Sequence, residues 1–333
     1  MARGDVAPAE RDALATRAAV LVRPGLSLFR LVGGGRIVCL QGLVTCDVQQ
    51  PGDGAQVFGA LLTAKGMITS PLWVTHLGDE LLITLPARAA AEVAAVFERS
   101  LPPRLCRWED VTTSMATVGL YGPAAGGMLA AVTEGTPPAV AGQAGLVYHA
   151  EVPVIAVRLV ARGLDGFECV VPAAAVPALV EELTGRGALP TSASLLEERR
   201  ILDGFPRLGA EIDEKTLPQE VRFDEFGGVS YTKGCYLGQE TVARIHFRGH
   251  ANRSLAGLGL EREPTVLPLE ILQESQPVGR LSSACWWEAG RAWVGLAVVR
   301  RGVTPGTVVM LADGTAATMQ ELPWEPARAG GAA

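Results

Sequence analysis

Residues 233–240 read Lys-Gly-Cys-Tyr-Leu-Gly-Gln-Glu. An amine, a thiol, an aromatic ring, an amide and a carboxylate fall within eight positions, a mixture that no core-packing pattern requires. The run that follows, Thr241-Val242-Ala243-Arg244-Ile245, has helical character. The spacing therefore predicts Cys235 at or near a helix N-terminus, with Lys233 two residues upstream. Both features favour thiolate. Cys235 is a candidate nucleophilic or redox thiol; the competing reading is a small buried residue in a glycine-flanked turn. Lys233 either lowers the thiol pKa, meets an anion, or is simply solvated. Gln239 and Glu240 either orient Cys235 and bind a polar ring edge or satisfy the first-turn helix donors. Tyr236 either stacks on a flat ring or packs in the core. Arg244, Arg248 and Arg253 form a basic string suited to a carboxylate-rich ligand, or a solvated face. His246 and His250 have i,i+4 spacing but lack the acidic partner of an HExxH site, so no metal is expected. The Ser282-Ser283 pair has no local His/Asp context for a nucleophilic serine.

Bulk composition narrows the classes. The chain has 333 residues, 29 basic and 35 acidic, for a net charge of -6. That length implies two or three domains. The acidic balance argues against direct nucleic-acid binding. No run approaches the roughly 18 apolar residues of a membrane span. The first twenty residues carry Asp5, Glu10 and Asp12 without a hydrophobic signal region, so a cytoplasmic protein is expected. Six scattered cysteines without CxxC spacing point to neither a disulfide framework nor zinc. Cys39, Cys169 and Cys285 lie in apolar runs and read as structural, as do Cys46 and Cys106. Only Lys65, Lys215 and Lys233 are lysines among the 29 basic residues. Where arginine is so favoured, a surviving lysine marks a place that wants a compact ammonium.

The elements that must position these groups follow from patterning. Residues 1–19 and 321–333 read as flexible ends, the first with some helix in it. Strands are predicted at Ser27–Leu31 and Arg36–Leu40 around a Gly33-Gly34-Gly35 turn, and a short helix over Gln41–Val48, with Asp47 closing a turn through its own backbone. Strands at Gln56–Leu62, Met67–His76 and Leu81–Leu85 precede an amphipathic helix at Ala87–Arg99. A second block repeats this layout: strands at Ala116–Tyr121, Gly145–His149, Val154–Val160 and Phe167–Val171, with helices at Ala124–Ala131 and Ala173–Gly185. Strands interleaved with helices in this way suggest ferredoxin-like α+β units. They are expected as two interleaved subdomains, 55–110 and 20–54 with 111–250. Ser194–Gly204 is a capped helix, and 205–232 is loop-rich. From 251 to 320 the pattern changes to short strands with Gly and Pro turns, a small antiparallel β-barrel.

The motif residues carry a resemblance. Lys233–Glu240 matches K-G-C-[FY]-x-G-Q-E, the signature of the YgfZ-type folate-binding proteins, relatives of the glycine-cleavage T protein (aminomethyltransferase). Leu40-Gln41-Gly42, Thr45-Cys46-Asp47-Val48, Thr63-Ala64-Lys65-Gly66, Gly204-Phe205-Pro206 and Leu217-Pro218-Gln219-Glu220 are similar to further segments of that family. The resemblance implies a three-domain α+β arrangement around a central channel that holds tetrahydrofolate. It implies Cys235 and Lys233 as the reactive pair. It implies cofactor contacts from Tyr236, Gln239, Glu240, Arg244, Arg248, Lys65, Asp47 and Asp203, the last because Leu202 occupies a position often held by glutamate. It implies a role in assembling or repairing iron–sulfur enzymes, with tRNA modification affected indirectly, and iron–sulfur client enzymes or assembly proteins as partners of a monomer. Two other readings stand beside it: a folate-dependent one-carbon transferase, and a partner-binding scaffold without folate chemistry. The T protein carries a catalytic aspartate pair at the positions of Ser70 and Pro71. Neither residue is a carboxylate, which argues against that reaction here.

Overall fold

The computed structural model describes residues 6–159 and 164–324. The chain forms two compact units. The first comprises Met1–Leu62, Thr69–Leu195 and Gly227–Leu237; the second comprises Thr63–Ile68, Leu196–Phe226 and Gly238–Ala333.

The first unit holds two sheets. Strands β1 (Ala19–Val22), β7 (Met115–Tyr121), β8 (Ala144–His149), β9 (Val152–Arg158), β10 (Gly166–Pro172) and the short β11 (Leu189–Pro190) make a six-stranded sheet in the order β11-β1-β7-β10-β9-β8. Helices α4 (Ala125–Val132) and α5 (Val176–Gly185) cover it. Val118, Leu120, Val154, Ala156, Cys169 and Val171 pack in one core with Leu129, Leu179 and Leu183. Each buried leucine contributes about 1.5–3 kcal/mol. The five-stranded sheet runs β3 (Gln56–Leu62), β4 (Ile68–Leu77), β5 (Glu80–Pro86), β2 (Leu26–Val32), β6 (Arg107–Asp110), with α3 (Ala90–Ser100) burying Val93 and Phe97. Leu28, Leu82 and Val111 pack with Val170 of the six-stranded sheet.

The second unit contains a closed barrel of β12 (Arg253–Leu260), β13 (Leu269–Gln273), β14 (Gln276–Trp287), β15 (Ala292–Arg300), β16 (Val308–Leu311) and β17 (Ala316–Gln320). Its inward residues alternate along the strands, as in Val309 and Leu311 of β16, which are buried between exposed Val308 and Met310. Closure removes the sheet edges. Helices α6 (Ala193–Leu202) and α7 (Gln239–Arg248) complete the elements that concern the site.

The α+β class and the C-terminal antiparallel barrel agree with expectation. Several local readings do not. Residues 36–41 form a helix, α2 (Arg36–Gln41), not a strand. Gly33 has φ +112° and turns the chain out of β2, and Cys39 N–H bonds to Gly35 O, so Ile37 and Val38 have no strand partner to use their β propensity. The helix expected over 41–48 is a series of turns, closed by Asp47 Oδ1 accepting from the N–H groups of Gln49 (2.9 Å) and Gln50 (3.2 Å). Strand β2 pairs with β5 and β6, so within 20–54 only β1 joins the sheet built from 111–190. The N-terminal lead is not loose from Val6 onward. Helix α1 (Pro8–Thr16) buries Ala13 completely, and Glu10 accepts from both Ala7 N–H (2.8 Å) and Ser192 N–H (2.5 Å). At the other end Trp324 N–H bonds to Leu202 O at 2.8 Å, so 321–324 are tied down too. The rest of both expected flexible ends, 1–5 and 325–333, lies outside the described residues.

Candidate functional site

Lys233 is buried, and its ammonium is fully engaged. Nζ donates to the backbone carbonyls of Gln41 (2.8 Å), Val44 (2.8 Å) and Cys46 (2.7 Å). Three acceptors converge on one nitrogen, a geometry that three ammonium protons serve and a planar guanidinium does not. The compact ammonium that lysine scarcity pointed to is what this cradle uses. Its role differs from the expected one: Lys233 has no donor left for an anion. Burial pushes its pKa down to about 8, against the pull of Cys46 and Asp47. Burial also pushes the Cys46 thiol up to about 12, which marks it as packing.

Other bonds fasten the same loop. Ser230 N–H donates to Thr45 O (2.9 Å), Thr45 Oγ1 donates to Gly228 O (2.5 Å), and Leu237 N–H donates to Gly42 O (3.1 Å). Gln41 holds the 41–48 turns by donating to Asp47 Oδ1 (3.0 Å) and accepting from Val48 N–H (2.8 Å). Burial would raise the Asp47 pKa, but the bonds from Gln49 N–H, Gln41 and Gln50 N–H together lower it. Asp47 is therefore a local structural acceptor.

Between these ties the motif puts its thiol outside. Cys235 is exposed, as is Leu237, while Tyr236 is buried with its ring centroid 5.2 Å from Lys233 Nζ. Tyr236 thus covers the ammonium, as the core reading required, and a cation–π contact adds to the hold. Cys235 lies near a helix N-terminus but not at it. Helix α7 starts at Gln239 with Gly238 as its cap, three residues beyond the thiol, outside the turn over which helix-end potential acts.

In the second unit, α7 carries Gln239, Glu240, Arg244 and Arg248. Gly238 has φ +82°, and a Cβ there would come within 2.5 Å of Thr63 O. Gly66, at φ +85°, meets Thr241 in the same contact. The two glycines let the Thr63–Gly66 turn lie directly on the start of α7, which brings exposed Lys65 to that helix end. Glu240, Arg244 and Arg248 are exposed, and among the described residues none of them is in an ion pair. Arg253 is not part of it: Nε and a terminal nitrogen bond both oxygens of buried Glu220, at 3.0 and 2.8 Å. His246 Nδ1 lies 3.9 Å from Asp224 rather than beside His250 as a ligand pair. Among the described residues no three His, Cys, Asp or Glu side chains are grouped to hold a metal.

Two further positions bear on the chemistry. Asp203 is buried and ion-paired to Arg199 at 3.2 Å, so it is not an open substitute for the glutamate that Leu202 displaces. Ser70 is fully buried, and its hydroxyl donates to Pro71 O at 2.7 Å.

Sequence reasoning passed over a second, largely buried cation. Arg200 donates to both oxygens of Glu197 (2.9 and 2.7 Å), to Glu211 Oε2 (2.9 Å), to Phe205 O (2.6 Å) and to Ser283 Oγ (2.6 Å). Ser283 Oγ in turn donates to Glu211 Oε1 at 2.5 Å. This network joins α6, the 205–211 segment and the barrel. The spacing of Arg200, Glu211 and Ser283 gives no sequence signal. Only the Arg200–Glu197 pair, at i and i-3 on one helix, was readable.

The fold and these positions define the class. A crystal structure of the glycine cleavage system aminomethyltransferase T from Bartonella henselae superimposes with a TM-score of 0.84 at 20% identity, covering 96% of this chain and 90% of that one. The family model described as the GCVT N-terminal domain matches residues 4–228. The chain is 30% identical over 242 residues to the "tRNA-modifying protein YgfZ" of Colwellia psychrerythraea, covering 71% of this chain and 69% of that protein. It is 27% identical over 312 residues to the protein of the same name from Sodalis glossinidius, covering 90% of each. The chain belongs to the GCVT N-terminal domain family and, within it, to the YgfZ family.

Proposed function

We propose that this chain binds a reduced folate and supports the assembly or repair of iron–sulfur enzymes through Cys235, reaching tRNA modification by way of such enzymes. One observation carries the reading: an exposed thiol sits on a loop fastened by a buried lysine, while the position of the T-protein acid is a buried serine bonded to its neighbour. A thiol held in place yet open to solvent suits transient contact with a large partner. Ser70 and Pro71 offer no carboxylate to take up a proton or stabilise an iminium, so aminomethyl transfer of the T-protein kind is the weaker reading. The names of the YgfZ relatives support the link to tRNA modification.

The residues present fit the tail of a folate. Arg244 and Arg248 lie one turn apart on an exposed face, and Lys65 is exposed at the start of the same helix; together they suit a dicarboxylate. Glu240, exposed on the same helix, is a carboxylate available to a donor edge. When bound, the ligand would supply one-carbon carrier chemistry. The chain's own contribution is to orient the thiol through Lys233 and to hold the anionic tail.

The test has two arms. In a deletion strain, Cys235→Ala is expected to fail to restore dependent iron–sulfur enzyme activity while the purified variant still binds tetrahydrofolate by calorimetry. Full restoration by Cys235→Ala would discard the thiol role. Absence of binding by the wild-type chain would discard the folate. A double Arg244→Ala, Arg248→Ala variant should lose at least tenfold in affinity for tetrahydrofolate.

A further inference from the structure

The cradle around Lys233 is itself held, and a side chain outside the eight-residue signature holds it. Thr45 is fully buried, and each of its polar groups is used. Its N–H donates to Ala60 O at 2.9 Å, and Ala60 N–H donates back to Thr45 Oγ1 at 2.8 Å. Both bonds join it to β3. The hydroxyl proton goes the other way, to Gly228 O at 2.5 Å, and Thr45 O accepts from Ser230 N–H at 2.9 Å. One residue therefore bridges β3 to the entry of the loop that carries Cys235. Ser230 passes the hold along, since its Oγ accepts from Lys233 N–H at 3.3 Å.

The carbonyls on either side of Thr45 complete the pattern. Val44 O and Cys46 O turn to Lys233 Nζ, while Thr45 O between them turns to Ser230. The segment lies directly on β3: Val44 bridges to Leu61, and a Cβ at Gly59 would sit 2.6 Å from Cys46 Sγ. Lys233 thus grips a segment whose own position Thr45 sets. The place requires a group that donates and accepts at once, which a hydroxyl does. Valine fills the same volume but leaves Ala60 N–H and Gly228 O unpaired in a buried site.

We propose that Thr45 is the positioning residue of the thiol loop. Cys235 is exposed, so its place is set from the buried side of that loop. Two links do this. Thr45 fixes residues 228–230 and the Lys233 acceptors against β3, and Lys233 fixes the residues around Cys235. The assignment rests on the thiol role proposed above.

The experiment compares Thr45→Val and Thr45→Ser in the full chain by native-state hydrogen exchange, which reads local opening amide by amide. Thr45→Val should speed exchange at the Ser230 and Lys233 N–H groups at least tenfold, while amides of β7 and β10 stay within twofold of wild type. Thr45→Ser keeps the hydroxyl and should match wild type at all of them. If Thr45→Val does not accumulate folded, Thr45→Ala, which also lacks the hydroxyl, takes its place. In a deletion strain, dependent iron–sulfur enzyme activity per unit of accumulated protein should fall at least fivefold with Thr45→Val and return to within twofold of wild type with Thr45→Ser. Unchanged exchange at Ser230 in Thr45→Val would overturn the fastening. Faster exchange with wild-type activity, in a strain where Cys235→Ala still fails, would overturn the positioning role and leave the thiol role standing. The exchange arm involves no client enzyme, so it decides the fastening even where Cys235→Ala restores activity and the thiol role itself falls.

Discussion

Lys233 and Arg200 are both largely withdrawn from solvent, yet their surroundings neutralise them in opposite ways. Arg200 meets two carboxylates, one of them wholly buried, so the cluster carries its own countercharge. Burial works against the guanidinium, but Glu211 and Glu197 together hold it above its ordinary value. Lys233 meets three neutral carbonyls, with Asp47 only nearby, and its pKa falls instead. The first arrangement holds its guanidinium charged. The second holds a proton weakly, and it does so two residues from the thiol that the chain displays.

The comparison breaks most severely at Arg200. Arg200→Met leaves Glu211 buried without its partner, and chemical denaturation of the full chain should show a loss of about 3–5 kcal/mol. Glu211→Gln, which keeps shape and removes charge, should cost less. A loss no greater than that of an exposed arginine would mean that the cluster contributes specificity alone.

Lys233→Met keeps the stem and removes the donors. It should cost roughly 1–3 kcal/mol, the penalty for buried acceptors left unpaired. Lys233→Arg should not restore the loss, because one planar group cannot aim at three carbonyls. If Lys233→Arg matches wild type, the cradle is not specific for an ammonium.

The pH response separates the two cations. Lys233 has a folded pKa of about 8 against 10.5 when free. Below about 8 both states hold the proton, and the penalty for burying it is fully present. Between about 8 and 10.5 the unfolded chain binds a proton that the folded chain sheds, so this group raises stability as pH rises. The wild-type advantage over Lys233→Met should therefore grow from pH 7.5 to pH 10, while the effect of Arg200→Met stays level. A flat Lys233 difference would show that the carbonyls hold the ammonium more tightly than burial loosens it.

The smallest expected effect is at Cys235 itself. Cys235→Ala removes an exposed side chain and should leave the denaturation midpoint within about 0.5 kcal/mol of wild type. A larger loss would move Cys235 from the working surface to the packing.

Legibility differed by region. Strands β4, β5, β7, β10 and β15 follow from apolar, β-branched runs bounded by Gly and Pro, and α3 and α5 from helical periodicity. The barrel was recognised from its change to short strands with Gly and Pro turns. Strands β13 and β17 carry the weakest signal: Glu270 interrupts one, and the other is an Ala/Thr run with little apolar character. Helix α2 was misread because Ile37 and Val38 favour strands, while the helix is decided by the glycine turn before it and the lack of a pairing edge. The motif stretch stood out by residue type alone, yet the role of its lysine was hidden. The acceptors at Gln41, Val44 and Cys46 are main-chain carbonyls, and no side-chain pattern announces where a carbonyl points.

The sequence by itself determined the family, the thiol at 235, the absence of a carboxylate at 70, and the scarcity of lysine that singles out position 233. These are statements of chemical identity, which the order of residues carries directly. The tertiary structure alone decided that Lys233 is a fastening rather than a neighbour to an anion, and that Arg253 and Asp203 are committed to ion pairs. These depend on which groups are brought together across long separations, and burial then sets the charge each can hold.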